Sequence, residues 1–393
     1  MVITAAHWIY CIMVIVILGF MLKKKDTIIP CILGVFLIGL AAKSSITGAT
    51  RAIFDSFVVA GIELMSVILI ISVIVAMAKL LEEIGANVLM AAPAAKIIKT
   101  PDVAFFAIGI VMLVVSWFFW PSPATALIGV ALLPVAIKVG LPVISFAVAI
   151  NIFGHGIGLS TDFIIQGAPT ITATSAGVPV TAVMYEGLPL YFVMAIVTVA
   201  ASYIIMKRDM KTGNIIKPQV EVYAVENTIK HEKLAKYTAI IVPILFVLDI
   251  VAMFIFDLKG GDATSLIGGT AAVVLCVLCC VLYKKDALEK IAEYIKQGFT
   301  FGMEIFGPII PIAGFFYLGE VGPFTAVFGD ILPTGSQGIL SDVGLLIASS
   351  VSLNRPIAAT LETVVGAITG LDGSGFSGMN LAGSIAKVFG TAV

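Results

Sequence analysis

The chain has 393 residues, of which 60% are hydrophobic and 12% charged, and its mean hydropathy is +1.12. Soluble domains carry about 25% charged residues, so this composition excludes an ordinary soluble protein. The net charge of -1 provides no basic footprint for nucleic acid, and we expect no such partner. Because a spanning helix takes about 20 apolar residues, the apolar tracts allow about ten crossings of a lipid bilayer.

The first apolar tracts predict three spans, and the lysines at their ends predict the orientation. Three lysines follow the tract at residues 6–22, so the positive-inside rule places them in the cytoplasm and the N-terminus outside. A second span covers residues 28–42, and a polar outer stretch follows at residues 43–51. A third span at residues 57–80 returns the chain to the cytoplasm.

Two prolines interrupt the next apolar tract. The arms at residues 103–119 and 124–139 are separated by WPSPAT, residues 120–125. Pro121 and Pro123, two positions apart, do not fit the interior of one regular helix. The pattern therefore predicts a helical hairpin that bends at these prolines.

Glycine, serine and threonine dominate the segment after the hairpin. An apolar half-helix at residues 144–153 is predicted to stop in NIFGHGIGLSTD, residues 151–162, and IQGAPTITATSAGVP follows at residues 165–179. Irregular backbone at membrane depth is tolerated only where protein or a water-filled cavity surrounds it. A long helix at residues 180–206 closes this half of the chain.

The one hydrophilic segment lies at residues 207–237, and its excess of lysine and arginine predicts a cytoplasmic linker. Two further spans are predicted at residues 238–256 and 265–283. An amphipathic stretch at residues 286–297 then leads into an apolar helix at residues 299–318.

The second half of the chain repeats motifs of the first half in the same order. LLEEIG at residues 80–85 matches YLGEVG at 317–322, Asp102 matches Asp342, and WPSPAT matches RPIAAT at 355–360. The first copy begins outside and the second begins at the cytoplasmic linker, so the copies are predicted to have inverted topology. Inverted repeats with interrupted helices are typical of secondary transporters.

These patterns predict an all-α polytopic membrane protein with two inverted-topology repeats, re-entrant helical hairpins and interrupted helices. The expected domains are a first transmembrane repeat at residues 1–206, a cytoplasmic linker at 207–237, and a second, inverted repeat at 238–393. The second copy stops near the counterpart of Asp162, so residues 163–206 have no match. We expect the second repeat to be incomplete and its missing C-terminal part to belong to a longer protein.

This organisation resembles the ion transporter superfamily, which includes gluconate, lactate, citrate and dicarboxylate permeases, sodium/proton antiporters and the large membrane subunit of TRAP transporters. The tips WPSPAT and RPIAAT resemble the hairpins of that superfamily, and the stretches after them resemble its unwound helices. The resemblance implies secondary active transport of a small organic anion across the cell inner membrane, coupled to sodium or protons. It also implies an elevator-like motion and a homodimer.

Arg355 is the sharpest candidate for contact with an anionic substrate, because a guanidinium fork matches a carboxylate. An internal ion pair of Arg355 with Glu362 or Asp342 is the alternative. The remaining predicted substrate-binding residues lie at the two hairpin tips: Ser122, Thr125, Asn354 and Thr360.

Polar residues beside the predicted chain breaks are candidates for holding the coupling ion. Sodium needs hard oxygen ligands, and His155 beside Asp162 offers groups that exchange a proton near neutral pH. Hydrogen bonding to the local backbone is an alternative role for each of them. The predicted ion-coupling residues are Asn151, His155, Ser160, Thr161, Asp162, Asp372, Ser374, Ser377 and Asn380.

Other functions stay open at this point. A sodium/proton antiporter without an organic substrate would use His155, Asp162 and Asp372, and a TRAP-type subunit would need a separate binding protein. The sequence contains no HExxH motif and no P-loop, and its five cysteines lie in apolar tracts. We therefore predict no enzyme, no catalytic residue, no metal site and no cofactor other than sodium or a proton as coupling ion.

Overall fold

The computed structural model describes residues 3–23, 25–119, 121–163, 167–215, 231–258, 261–336, 338–350, 354–369, 382–383 and 386. Within these ranges the chain forms helices and turns and no strand, which confirms the all-α class. The α-helices are α1 (Ala5–Leu22), α2 (Ile28–Lys43), α3 (Ile46–Ile84), α4 (Ala86–Ile97), α5 (Pro101–Phe119), α6 (Pro121–Lys138), α7 (Val143–Ile150), α8 (Leu159–Thr161), α9 (Gly167–Ala176), α10 (Val180–Glu186), α11 (Leu188–Thr212), α12 (Glu232–Phe256), α13 (Gly261–Tyr283), α14 (Ala287–Tyr317), α15 (Val321–Phe328), α16 (Ile339–Ser350) and α17 (Arg355–Thr369). A π-helix (Asn151–Gly158) joins α7 to α8, and a short 3-10 helix (Lys284–Asp286) precedes α14.

Several helices are long and apolar enough to cross a lipid bilayer. In the described part of the chain there are four by length and composition, or six when each of two bent pairs counts as one span. The four are Val143–Thr161, Leu188–Thr212, Glu232–Phe256 and Gly261–Glu304. The bent pairs are Ile46–Ser66 with Ile68–Ile84, at 50°, and Phe306–Tyr317 with Val321–Phe328, at 98°. The chain is a polytopic membrane protein.

Two of the predicted helix boundaries outside the glycine-rich region are wrong, and both errors have a local cause. The expected polar outer stretch at residues 43–51 is largely helical, because α3 begins at Ile46. Hydropathy identifies only the apolar part of a helix, whereas the helical backbone hydrogen bonds continue through the adjoining polar residues. The expected single helix at residues 180–206 is two helices separated at Gly187, where Pro189 in the first turn of α11 lacks a backbone N–H.

The helices on either side of the predicted linker extend into it. Helix α11 continues to Thr212 and α12 begins at Glu232, while residues 216–230 lie outside the described part of the chain. The amphipathic stretch after α13 is continuous with the apolar helix that follows it, as expected, and together they form α14.

The order of helices is the same in the two halves of the chain. Two helices, a long helix, a short helix and a further pair occur as α1 to α6 and again as α12 to α17. The opposite orientation of the two copies stays a prediction.

The fold divides into two compact units that do not follow the order of the chain. Unit 1 comprises Met1–Ser66, Pro169–Val183 and Met303–Val393, and unit 2 comprises Val67–Ala168 and Met184–Gly302. Unit 1 therefore combines α1 and α2 with α15 to α17, and unit 2 combines α12 and α13 with α4 to α8. The chain passes from one unit to the other inside each long helix, α3 and α14.

The core of unit 1 forms where α1 and α2 meet the end of α14. The Tyr10 ring stacks on Phe315 with centroids 4.9 Å apart, and the Tyr10 hydroxyl donates to the Phe316 carbonyl at 3.1 Å. A Cβ at Gly34 would lie 2.6 Å from the Phe315 ring. Glycine at this position of α2 lets the aromatic ring reach the helix backbone.

Candidate functional site

The first hairpin packs closely against the π-helix in unit 2. Both arms, α5 and α6, contact the π-helix. A Cβ at Gly158 would lie 2.9 Å from Ser116 of α5, one at Gly154 would lie 3.1 Å from the same side chain, and one at Gly109 would lie 2.4 Å from the Phe153 ring. These glycines serve close helix packing.

The expected break in the first half lies further along the chain than predicted. The half-helix at residues 144–153 does not stop at Phe153, because helical backbone continues through the π-helix to Thr161. The following segment, expected to be irregular at residues 165–179, contains helix α9. Glycine, serine and threonine at this density reflect tight packing and internal hydrogen bonds instead of unwinding.

Helical backbone ends at Asp162, which is the polar centre of this region. Asp162 has φ of 30°, in the left-handed region that aspartate tolerates better than most residues. Its side chain is buried, and its Oδ2 accepts the backbone N–H of Ala168 at 3.0 Å. The carboxylate therefore satisfies a backbone donor at the N-terminus of α9, where the helix dipole favours a negative charge.

Thr161 connects the end of this helix to the tip of the first hairpin. Its hydroxyl donates to the Ile157 carbonyl at 2.9 Å and accepts the Trp117 indole N–H, also at 2.9 Å. Trp117 lies near the end of α5, so this bond holds the hairpin tip beside Asp162. A π-helix frequently occurs at a functional site, because it re-aims side chains locally.

Replacing Thr161 by valine is expected to lower the free energy of unfolding by about 1–2 kcal/mol, since the Trp117 N–H loses its acceptor. Thermal unfolding in detergent and the indole fluorescence of Trp117 measure the effect. Thr125→Val is the matched control, because the bond of the Thr125 hydroxyl within the described residues is to the Pro121 carbonyl of its own helix. Equal losses of stability in the two variants would contradict the role of the Trp117 bond.

The other predicted residues of unit 2 lie on the π-helix, α8 and α6. Asn151 and Ser160 are exposed and His155 is half-buried. The Ser160 hydroxyl donates to the Gly156 carbonyl at 2.5 Å. Ser122 lies in the first turn of α6, whose contact with the π-helix brings the first tip and the coupling residues into one region of unit 2.

The second predicted tip lies in unit 1 at the start of α17. Asn354 accepts the Ile357 backbone N–H at 3.0 Å, which is an N-cap, and the Thr360 hydroxyl donates to the Pro356 carbonyl at 2.8 Å. Arg355 is exposed at the first position of the helix. In the described part of the chain, no ion pair joins Arg355 to Glu362 or to an aspartate. The predicted coupling residues Asp372, Ser374, Ser377 and Asn380 lie outside the described residues.

The structure reveals two buried acidic groups that the predicted site lacks. Asp342 at the start of α16 pairs with His7 of α1 at 3.0 Å, and Asp249 of α12 accepts the Thr270 hydroxyl of α13 at 2.9 Å. Both groups could have been found from the sequence, because each is an ionisable side chain inside an apolar tract. Burying such a side chain without a partner is energetically costly. His7 was missed because it lies at the very start of the first tract.

Comparison with known proteins provides one close relationship. No protein-family model matches the chain, and no solved structure matches it. The chain is 42% identical over 390 residues to the uncharacterized membrane protein YhfA of Bacillus subtilis (strain 168), and the alignment covers 98% of this chain and 84% of that protein. The chain therefore belongs to the family of this Bacillus membrane protein.

Proposed function

We propose that the protein is a secondary active transporter, not an enzyme, that moves a small organic anion across the cell membrane. The substrate class is a carboxylate, the coupling ion is sodium or a proton, and the mechanism is elevator-like alternating access in a homodimer. The N-terminus lies outside and the segment between α11 and α12 is cytoplasmic. In this proposal the polytopic membrane protein, a relative of YhfA, is a member of the ion transporter superfamily.

The doubled order of helices is the observation that carries the proposal. Each half of the chain contributes two helices, a long helix, a short helix and a pair of helices whose second member begins at a proline-containing tip. Transporters are commonly built from two such repeats, with the substrate between broken or re-entrant elements.

Asp162 is assigned to the coupling ion in this proposal. A buried carboxylate inside an apolar fold is expensive and is usually retained for function. Ser160 and Thr161, which carry hydroxyl oxygens, directly precede Asp162 in the chain, and the π-helix ends one turn before it. Hard oxygens of this kind suit sodium, and the carboxylate itself suits a proton.

Arg355 is assigned to the substrate. Its guanidinium lies exposed at the N-terminus of α17, where the helix dipole also favours an anion. In unit 2, Ser122 and Thr125 at the first tip are assigned as candidates for binding a hydroxyl or carboxylate group. Asn354 and Thr360 support the second tip by capping α17 and bonding within it.

Counterflow in proteoliposomes tests the transporter. Vesicles containing the full chain and loaded with unlabelled gluconate, lactate or a dicarboxylate are expected to accumulate the labelled acid under a sodium or proton gradient. Empty vesicles provide the background. Absence of counterflow for all three kinds of acid under both gradients would overturn the proposal.

Arg355→Lys tests the anion contact within the same assay. Lysine keeps the charge and loses the planar fork, so loss of one charge-assisted hydrogen bond is expected to weaken substrate affinity by about tenfold. Lys207→Arg is a matched exchange at an exposed ion pair with Asp102 and is expected to have no effect. Unchanged affinity in Arg355→Lys would remove Arg355 from the substrate site.

A cation/proton antiporter is the second candidate, and Asp249 favours it. This carboxylate is buried in the α12 span, and its Oδ2 has no hydrogen-bond partner among the described residues. Such a group suits a cycle in which a carboxylate alternates between a proton and a cation. Dequenching of a pH-sensitive dye on sodium addition, without any organic acid, would favour the antiporter over the anion transporter.

A further inference from the structure

Exposed basic side chains are concentrated at one end of unit 2, where α4, α6 and α11 end and α5 begins. Lys207 of α11 donates to both carboxylate oxygens of Asp102 in the first turn of α5, each at 2.9 Å. A Cβ at Gly140, just after α6, would lie 3.9 Å from the Pro101 ring. The exposed basic side chains that these contacts bring together, which we call the basic patch, are Lys96, Lys99, Lys138, Arg208 and Lys211.

The basic patch has an excess of positive charge. Asp102 is already neutralised by Lys207, so this pair adds no net charge. The acidic side chain that remains within these helix ends is Asp209, which lies between Arg208 and Lys211 in the sequence. Like charges that are gathered in one area produce a field that attracts ions of the opposite sign. This end of unit 2 therefore favours an anion.

Interaction with the helix dipoles accounts for only part of the basic patch. Lys96, Lys138 and Lys211 lie in the last turns of α4, α6 and α11, where a cation is favourable. Lys99 lies between α4 and α5, and Arg208 precedes the last turn of α11. Within the described ranges, neither Lys99 nor Arg208 forms an ion pair. Stabilisation of helix ends does not explain these two cations.

Exposed apolar side chains continue from the basic patch along α11 and α5. Ile204 is 64% exposed and lies four residues before Arg208, so the two side chains share one face of α11. On α5, Phe106 and Ile110 are 37% and 54% exposed and also lie four residues apart. The rings of Phe106 and Tyr203 lie 4.9 Å apart, so α5 and α11 are neighbours here. A ligand that suits this surface has an anionic head and apolar chains.

We propose that the basic patch binds the headgroup of an anionic phospholipid whose acyl chains lie along α5 and α11. Phosphodiester oxygens accept charge-assisted hydrogen bonds from ammonium and guanidinium groups. Basic surfaces at the cytoplasmic ends of membrane helices attract anionic lipids of that leaflet. The proposed orientation places the basic patch on this side of the membrane, because the segment between α11 and α12 is assigned to the cytoplasm. The lipid is a partner of unit 2 and not the transported solute.

Thermal unfolding of the full chain in an uncharged detergent tests the proposal. Phosphatidylglycerol and phosphatidylcholine with identical acyl chains are titrated separately, and phosphatidylglycerol is expected to give the larger rise in melting temperature. Salt should reduce the difference, because it screens exposed charges. In the double variant Lys99→Gln/Arg208→Gln, the affinity for phosphatidylglycerol is expected to fall by about tenfold or more, since each basic residue near an anionic lipid surface contributes about fivefold.

Lys285→Gln/Lys296→Gln is the matched control. It also removes two exposed lysines of unit 2, but these lie among the acidic residues Asp286, Glu289 and Glu293. We expect this variant to keep the preference of the wild type for phosphatidylglycerol. Equal stabilisation of the wild type by the two lipids, or unchanged affinity in Lys99→Gln/Arg208→Gln, would overturn the proposal.

Glycerol 3-phosphate separates a lipid from a soluble anion, because it carries the phosphate without acyl chains. We expect it to leave the melting temperature unchanged at concentrations where phosphatidylglycerol raises it. An equal rise with glycerol 3-phosphate would assign the basic patch to a soluble phosphate and overturn the lipid assignment. None of these measurements involves transport of an organic acid, so their outcome is independent of the counterflow result.

Discussion

Gly298→Leu is expected to yield no monodisperse folded protein in detergent. In unit 2, α14 crosses α3 so closely that a Cβ at Gly298 would lie 2.0 Å from the Ser72 carbonyl oxygen and 3.0 Å from its carbon. These atoms belong to the backbone of a buried helix, so no side-chain rotation relieves the clash. Overpacking a well-packed core typically costs about 1–3 kcal/mol and more when backbone must move, so we expect marginal folding for alanine and failure for the larger leucine.

Gly307→Ala is the control for this substitution. Gly307 lies on the same helix, and a Cβ there would meet no atom of the described residues within 4 Å. Alanine in an unhindered helical position is expected to raise stability by up to about 1 kcal/mol. Size-exclusion chromatography and thermal unfolding separate the outcomes. A Gly298→Leu protein with the elution and melting temperature of the wild type would disprove the described crossing of α3 and α14.

Asp162→Asn is expected to reduce counterflow to the level of empty vesicles while the protein stays folded. Asparagine keeps an oxygen that accepts the Ala168 N–H, so the start of α9 retains its acceptor. Only the negative charge is lost, and a proposed coupling site without its charge holds neither a proton nor sodium. Asp162→Ala removes the acceptor as well and should also lower the free energy of unfolding by about 1–2 kcal/mol.

Asp102→Asn controls for the removal of one carboxylate charge. Asp102 forms an exposed ion pair with Lys207, and pairs of this kind contribute about 0–1 kcal/mol. We expect counterflow and thermal unfolding of this variant to match the wild type. If Asp162→Asn transports like the wild type in an assay where counterflow is robust, Asp162 has only the structural role of capping α9.

Length and hydropathy predicted helix boundaries well where a continuous apolar tract ends at a charged residue. The boundaries of α1, α2 and α13 lie within a few residues of the expected spans. Prediction was poor where glycine was involved, as in the π-helix. A glycine in an apolar helix indicates either a break in the helix or close packing against another helix. The sequence pattern is the same in both cases, so only the tertiary structure shows which one applies. Here Ser116 lies against Gly158, and the helix continues.

The candidate site was predictable in part. Asp162 and Thr161 stood out as polar residues after an apolar tract, and the structure brings Thr161 to the tip of the first hairpin through Trp117. Local sequence carries no information on the pairing of His7 with Asp342, because the two residues are distant in the chain. The repeat marked Asp342 as the counterpart of Asp102 but did not indicate its partner.

The sequence by itself determined that this protein is a helical membrane protein and that its two halves have the same order of helices. Those properties follow from composition, from the spacing of apolar tracts and from proline positions, which act locally. Tertiary structure decided which elements share a core. Each unit combines helices from both halves, because the chain passes between units inside α3 and α14. Burial and hydrogen-bond satisfaction are properties of that packing, so the roles of Gly298, Asp162 and His7 became visible only in the folded chain.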